Sequence, residues 1–280
     1  MNNLDLEIIS CKIRKHALDA VHAAKSGHPG GSMSISDLLA LLYFEQMKVD
    51  ETNPAWEDRD RLVLSKGHCA PALYGALAER GFIPKEDITG FRNINSYLQG
   101  HPVVKVPGVD MSTGSLGQGV CVAAGMALAA KLDNKDYHVY AILGDGELEE
   151  GQVWENAMFA AHYNLDNLTV FVDNNGLQID GNIADVMSPL PIDKKYEAFN
   201  WNVLTADAHD FDSLRSAIES AKECKGKPTV IVMKSVKGKG ISFMENQAGW
   251  HGNAPNDEQY AVASEELDTK LKELEARKNG

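Results

Sequence analysis

Apolar residues recur at three- and four-residue intervals along 4–25 (Leu4, Ile8, Ile9, Ile13, Ala17, Leu18, Val21), which predicts a helix with one buried face. Ser34, with Asp37 three positions on, predicts a capped second helix running to about Met47. A short buried strand at 61–65 and a helix at 70–80 follow. The run 116–132 is rich in alanine and other small residues, the composition of a helix packed closely on its neighbours. From His138 the pattern changes to strand and helix in alternation. Strands are predicted at 138–143, 168–172, around Val203-Leu204 and at 229–233, with helices at 152–163 and 211–222. This alternation implies a doubly wound α/β fold, a mostly parallel sheet flanked by helices on both faces. A charge-rich amphipathic helix is predicted on the surface at 257–277. No repeat, low-complexity tract or long linker interrupts the chain, so residues 1–280 read as a single domain.

Composition narrows the partners more than the fold. Hydrophobic residues make up 44% and charged residues 24%, close to an average soluble protein. No apolar stretch approaches the ~20 residues of a membrane-spanning helix, and the start Met1-Asn2-Asn3-Leu4-Asp5 lacks the form of a signal peptide. A cytoplasmic location is expected. The net charge of −13, from 27 basic and 40 acidic residues, argues against nucleic acid or an anionic membrane as the main partner. An anionic ligand therefore needs a local cationic pocket, for which the lysines and histidines beside the glycine motifs are candidates. Cys11, Cys69, Cys121 and Cys224 are widely separated and form no Cys-x-x-Cys pair, so they read as reduced core thiols.

The chemistry is densest where strands end. In open parallel sheets, ligands bind beyond the carboxyl ends of the strands. The strand at 138–143 runs into Gly144-Asp145-Gly146, whose glycines permit a tight turn and close approach of a ligand. A helix begins a few residues later, and its free N–H groups suit a diphosphate. The next strand ends in Asp173-Asn174-Asn175, which places the two strand ends side by side. Either turn alone is an ordinary loop signal. Together, on successive strands, they point to a divalent cation held by oxygen. Asp145 offers a carboxylate, Asn175 a side-chain carbonyl and the turn at Leu177 a backbone carbonyl. Two phosphate oxygens and a water would complete roughly six ligands, which suits Mg²⁺, with Ca²⁺ or Mn²⁺ as alternatives.

The run from Gly144 to Gly151, Gly-Asp-Gly-Glu-Leu-Glu-Glu-Gly, followed by Asp173-Asn174-Asn175, resembles the signature of thiamine diphosphate enzymes. Ser26-Gly27-His28-Pro29-Gly30-Gly31, Ser65-Lys66-Gly67-His68, Gly100-His101-Pro102 and Thr113-Gly114-Ser115-Leu116-Gly117-Gln118-Gly119 resemble transketolase, in transketolase order, and Trp250-His251-Gly252 closes the set. The resemblance covers about 5–255 and implies the diphosphate-binding domain of that family. It assigns His28 and His251 to proton transfer at substrate oxygens and His101 to the donor's hydroxymethyl group. His68 falls near the cofactor diphosphate, to which Lys66 and Lys237 would bring positive charge. Gly114 and Leu116, with Ser115 between them, would contact the cofactor rings through backbone groups. Ser115 departs from the proline common there in long single-chain transketolases. Glu150 is expected as a buried carboxylate linked to the partner's acid or orienting the metal shell, or else as an exposed acid at a helix start.

A complete transketolase resembles this chain followed by two further domains, which supply the glutamate that activates the cofactor and most contacts to the substrate phosphate. The stretch after His251 is too short for either. The expectation is therefore one subunit of a split transketolase, moving a two-carbon glycolaldehyde unit from a ketose phosphate to an aldose phosphate in the pentose phosphate pathway or related sugar metabolism. A separate C-terminal subunit would carry the pyrimidine-binding domain, in an α2β2 assembly. Two alternatives stand beside it: a transketolase-like subunit for another sugar, such as apulose phosphate, and a non-catalytic metal/diphosphate-binding module.

Overall fold

The computed structural model describes residues 1–280. Helix α1 (Asn3–Ala24) starts where the Asn2 side chain accepts from the Asp5 amide, and ends at Lys25, whose φ of 49° is left-handed. Next come α2 (Pro29–Ser34), α3 (Ser36–Leu41) and a π-helical turn at Leu42–Gln46. Strand β1 (Arg61–Leu64) leads to α4 (Ala70–Arg80) and, after a long loop, to α5 (Gln118–Leu132). Then follow β2 (Val139–Gly144), α6 (Gly151–His162), β3 (Leu168–Asn174) and a small hairpin of β4 (Leu177–Gln178) and β5 (Gly181–Asn182). Short helices α7 (Ile183–Val186) and α8 (Ile192–Ala198) precede β6 (Asn202–Asp207), α9 (Phe211–Glu223), β7 (Thr229–Lys234) and the terminal α10 (Asp257–Asn279).

The five long strands form one sheet in the order β1-β2-β3-β7-β6, with every neighbouring pair parallel. The antiparallel pairing is confined to the β4–β5 hairpin. Alternate residues along each strand point to opposite faces, and each face meets its own core. Val63, Ala141, Leu143, Val170 and Val172 pack with α5, α6 and α8. Leu62, Leu64, Tyr140, Ile142, Phe171 and Ile231 pack with α3, α4 and α9. A third cluster lies between α1 and α10, where Cys11, Ala17 and Leu18 meet Leu267 and Leu274 together with Met33, Ile241 and Met244. The terminal helix is charge-rich on its outer side, as the sequence predicts, and closes the back of α1 on the inner side.

The second helix runs to Gln46 with Met47 as its C-cap, as expected, but its start differs. Ser34 ends α2 rather than capping the helix, and the chain breaks at Ile35. Buried polar chemistry overrides the capping signal. The Ser34 hydroxyl donates to the Asp173 carboxylate at 2.7 Å. Asp37 accepts from both ends of the Arg14 guanidinium, at 3.0 and 2.5 Å, and from His209 Nδ1 at 2.8 Å. Burial opposes the Asp37 charge, but Arg14 and His209 together hold its pKa well below the usual range. A paired, buried carboxylate of this kind is of no use as a helix cap.

Candidate active site

Because β1, β2, β3 and β7 are parallel neighbours, the residues that follow each strand collect at one edge of the sheet. Asp173, the last residue but one of β3, is completely buried and forms the centre of this edge. Its carboxylate accepts from Lys66 Nζ at 2.5 Å, from Ser34 Oγ at 2.7 Å, from Asn175 Nδ2 at 3.1 Å and from the Ser235 hydroxyl. Lys66 also donates to the Gly31 carbonyl at 3.1 Å. Burial works against both charges, and their mutual attraction outweighs it: the lysine pKa is raised and the aspartate pKa lowered. The Lys66 charge thus reaches the site already paired with Asp173. Lys237, 2% exposed, has neutral partners instead, the Leu177 carbonyl at 3.0 Å and His251 Nδ1 at 3.0 Å. Burial, and then the nearby Lys66 charge, lower its pKa.

Asp145 follows β2 directly and is 3% exposed. One carboxylate oxygen accepts from the Gly146 amide at 2.9 Å, the other from the Gly176 amide at 2.6 Å. Burial and the charge of Asp173 push its pKa up to about 6, against the two amides and Lys66. Asn175 Oδ1 faces the same turn, accepting from the Leu177 amide at 3.1 Å. The three oxygens predicted for a cation, from Asp145, Asn175 and Leu177, therefore all belong to one turn, 173–177, and its neighbour across β2–β3. A cationic group already rests on one of them, since the Lys237 ammonium sits on the Leu177 carbonyl. The donor set is all oxygen and anionic at one position, which fits a hard divalent ion.

Four histidines ring the opening beside this turn. The His28 ring centroid is 5.1 Å from His68, 6.3 Å from His101 and 5.4 Å from His251, and His68 lies 5.1 Å from His251. All four are held neutral. Burial and then the neighbouring Arg92, His101 and Lys237 lower His28 to about 4, while burial followed by Lys237 and His28 lowers His251 to about 3. His68 is lowered well below the ordinary imidazole value by burial and Lys66, and His101 is lowered by burial and Arg92. Because His251 Nδ1 accepts from an ammonium, its proton is on Nε2, making that atom a donor. His28 Nδ1 is buried with no partner. His101 lines a cavity of about 420 Å³ together with Gly100, Thr113, Gly114 and Ser115. A side chain at Gly114 would come within 3.3 Å of the His101 ring.

The remaining predicted residues are less central. Leu116 accepts from Gln152 Nε2 at 3.0 Å through its carbonyl, and Ser115 is exposed. Glu150 is also exposed, at the N-cap of α6, where its carboxylate is open to a partner chain. The buried acid of the motif is Glu147, three residues earlier and 2% exposed. Sequence reasoning gave roles to neither Glu147 nor Asp173, although both stand inside the motifs it used. The signal for Asp173 was Lys66, an acid and a base at the ends of strands in one sheet. For Glu147 no such signal exists, because a run of acids does not say which one turns inward. Arg92 was missed as well. It has a φ of 60°, donates to Ser26 Oγ at 2.5 Å and adds to burial in lowering the pKa of His28 and His101.

Residues 6–277 match the family described as transketolase, thiamine diphosphate binding domain. The chain belongs to the transketolase family. It is 44% identical over 266 residues to a 6-deoxy-6-sulfo-D-fructose transketolase subunit of a Clostridium species, covering 95% of this chain and 97% of that protein. It is 41% identical over 275 residues to an apulose-4-phosphate transketolase subunit from Phocaeicola vulgatus, covering 98% of each. Human transketolase is 42% identical over 243 residues, where the match takes up 86% of this chain but 38% of the human protein. Among solved structures, the transketolase of Campylobacter jejuni superposes with a TM-score of 0.91 at 32% identity, covering 98% of this chain and 46% of that one. The chain therefore spans less than half the length of these single-chain transketolases and nearly all of the two subunits. Thiamine diphosphate is the cofactor of the family, and the α/β fold with its parallel sheet is the transketolase fold.

Proposed function

We propose that this chain is a single diphosphate-binding domain serving as one subunit of a two-subunit transketolase, which transfers a glycolaldehyde unit from a ketose to an aldose. What carries the reading is the convergence of Asp145, Lys237, His28 and His251 at adjacent strand ends, in a chain whose full-length relatives are named as subunits. Asp145, Asn175 and the Leu177 carbonyl would hold a divalent cation, Mg²⁺ by preference, and Lys237 would pass from the Leu177 carbonyl to the diphosphate. Lys66, paired with Asp173, would support the same end through Gly31. His68 would lie beside the diphosphate, with Gly144, Gly146 and the 114–116 loop supplying backbone contacts, and Glu150 facing the partner. When bound, thiamine diphosphate supplies the electron sink that C–C cleavage requires.

The chain's own contribution is proton handling. Oxygens of the sugar gain and lose negative charge as the bond breaks and re-forms. Neutral imidazoles suit both stages. His251 would donate through Nε2, His28 would exchange a proton at the same oxygens, and His101, beside Gly114, would hold the terminal hydroxyl of the transferred unit. The low imidazole pKa values keep these residues uncharged near neutrality, ready to accept as well as donate.

The acceptor and donor would be sugars with an anionic end, recognised largely by a separate subunit carrying the pyrimidine-binding domain. An α2β2 assembly in the cytoplasm is the corresponding arrangement. The names of the two full-length relatives favour a specialised sugar, sulfonated or branched, as a second reading of the substrate. Ketol transfer assayed with xylulose 5-phosphate and ribose 5-phosphate, Mg²⁺ and thiamine diphosphate is expected only when the partner subunit is added. Robust turnover by this chain alone would overturn the split-subunit reading.

A further inference from the structure

Glu147 lies two residues beyond Asp145, in the turn between β2 and α6, and its side chain points inward. Oε1 accepts from the Ser65 hydroxyl at 2.5 Å and from the Gly117 amide at 2.8 Å, and Oε2 accepts from the Gly144 amide at 3.1 Å. Ser65 in turn accepts from the Val120 amide at 3.0 Å, in the first turn of α5. One carboxylate thus joins three segments: the end of β1, which leads to Lys66; the loop 114–117; and the end of β2, which leads to Asp145. All three bonded donors are neutral, and no lysine or arginine bonds this acid. A buried carboxylate is costly unless several donors satisfy it, so a residue that merely filled this space would be apolar.

The packing around it is equally tight. A Cβ at Gly119 would stand 2.7 Å from Ser65 Cα, so the start of α5 is pressed directly onto the end of β1. Gly117, with a φ of 81°, turns its amide toward Glu147 in a conformation that few other residues adopt. The 114–117 loop therefore has its rear edge fixed by Glu147 while its front edge faces His101 and the cavity.

We propose that Glu147 is a positioning residue that keeps the 114–117 loop in register with the Gly144-Asp145 turn, so that the ring end and the diphosphate end of the cofactor are gripped as one unit. The inference rests on the cofactor assignment made above. Glu147→Gln tests it with little change of volume. The amide must place an NH₂ against either the Gly144 amide or the Ser65–Gly117 pair, donor against donor. Ser65→Ala is the milder companion, removing one donor while leaving the carboxylate two others, and serves if Glu147→Gln fails to fold.

Hydrogen exchange followed by mass spectrometry on the chain assembled with its partner subunit, with and without Mg²⁺ and thiamine diphosphate, reads the outcome. In the wild type, addition of both should slow exchange in 112–120 and in 143–150 together. In Glu147→Gln, 143–150 should still respond while the protection of 112–120 falls by about tenfold, the loss of roughly one charge-assisted hydrogen bond. Ser65→Ala should show the same split at smaller size. If both segments of the variants respond as in the wild type, Glu147 only stabilises the fold, and the inference is overturned. If neither segment of the wild type responds, it is the cofactor assignment that fails, which is visible before any variant is made.

Discussion

A carboxylate buried beside a second carboxylate resists ionisation, and Asp145 occupies that position next to Asp173. Its folded pKa of about 6 lies above the ordinary value of 3.8, so ionised Asp145 works against the ligand-free fold at neutral pH. Asp145→Asn removes that charge but turns its NH₂ against the Gly146 or Gly176 amide. The two effects oppose each other, so the thermal midpoint of the ligand-free chain should move by no more than a few degrees near pH 7. The substitution should also abolish the upward shift that Mg²⁺ with thiamine diphosphate produces in the wild type assembled with its partner subunit. A cofactor-induced shift as large as the wild type's would show that the cation is held elsewhere. The histidines carry the opposite sign. His28 is lowered from 6.5 to about 4, so its contribution to stability is complete above 6.5 and is lost as pH falls toward 4. Ionised Asp145 becomes less unfavourable in part of the same window, so the contrast with a variant is the useful measurement. Between about pH 7 and about pH 5, the urea midpoint of His28→Asn should fall less than that of the wild type. Equal falls would mean that His28 is protonated normally.

At the scale of elements, β1 and α5 show how a glycine can be required or merely tolerated. Both Gly119 and Gly125 lie in α5, where alanine is intrinsically favoured by about 1 kcal/mol. A side chain at Gly119 meets Ser65 at 2.7 Å, whereas one at Gly125 meets nothing within 4 Å. Gly125→Ala should stabilise the isolated chain by roughly 0.5–1 kcal/mol, and Gly119→Ala should destabilise it by roughly 1–3 kcal/mol, both read from chemical unfolding. Equal signs would show that α5 is not pressed onto β1. The same logic explains the broken second helix. Helical period and a capping serine were legible, but they could not reveal that Ser34 and Asp37 had partners at Asp173 and at Arg14 and His209, all far away in sequence.

Across the whole molecule, the terminal helix α10 acts as a cover. Leu267 and Leu274 complete the cluster that backs α1 and includes Ile241 and Met244, just beyond Lys237. Leu267→Ala should cost roughly 2–5 kcal/mol of stability, measured by urea unfolding, because the neighbouring side chains come from three segments that cannot all collapse inward. A loss below about 0.5 kcal/mol would mark α10 as loosely attached. The net charge of −13 is likewise a property of the whole, and the site opposes it locally with Lys237 and Arg92, whose hydrogen-bond partners are neutral.

The sequence alone determined the parallel α/β fold, because strand and helix periods alternate, and it determined the family, because five glycine-rich motifs keep their order. It also located Asp145 and Asn175 just beyond the ends of neighbouring strands, since one strand–helix–strand unit places consecutive strand ends together. Only the tertiary structure decided which charges are free. Lys66 and Lys237 look alike in sequence, yet one is paired with Asp173 and the other meets only neutral groups. Of the three glutamates at 147, 149 and 150, one turns inward and two remain in solvent. Local pattern specifies which way the chain runs, whereas burial and pairing depend on residues brought together from distant parts of it, and those set the electrostatics of the site.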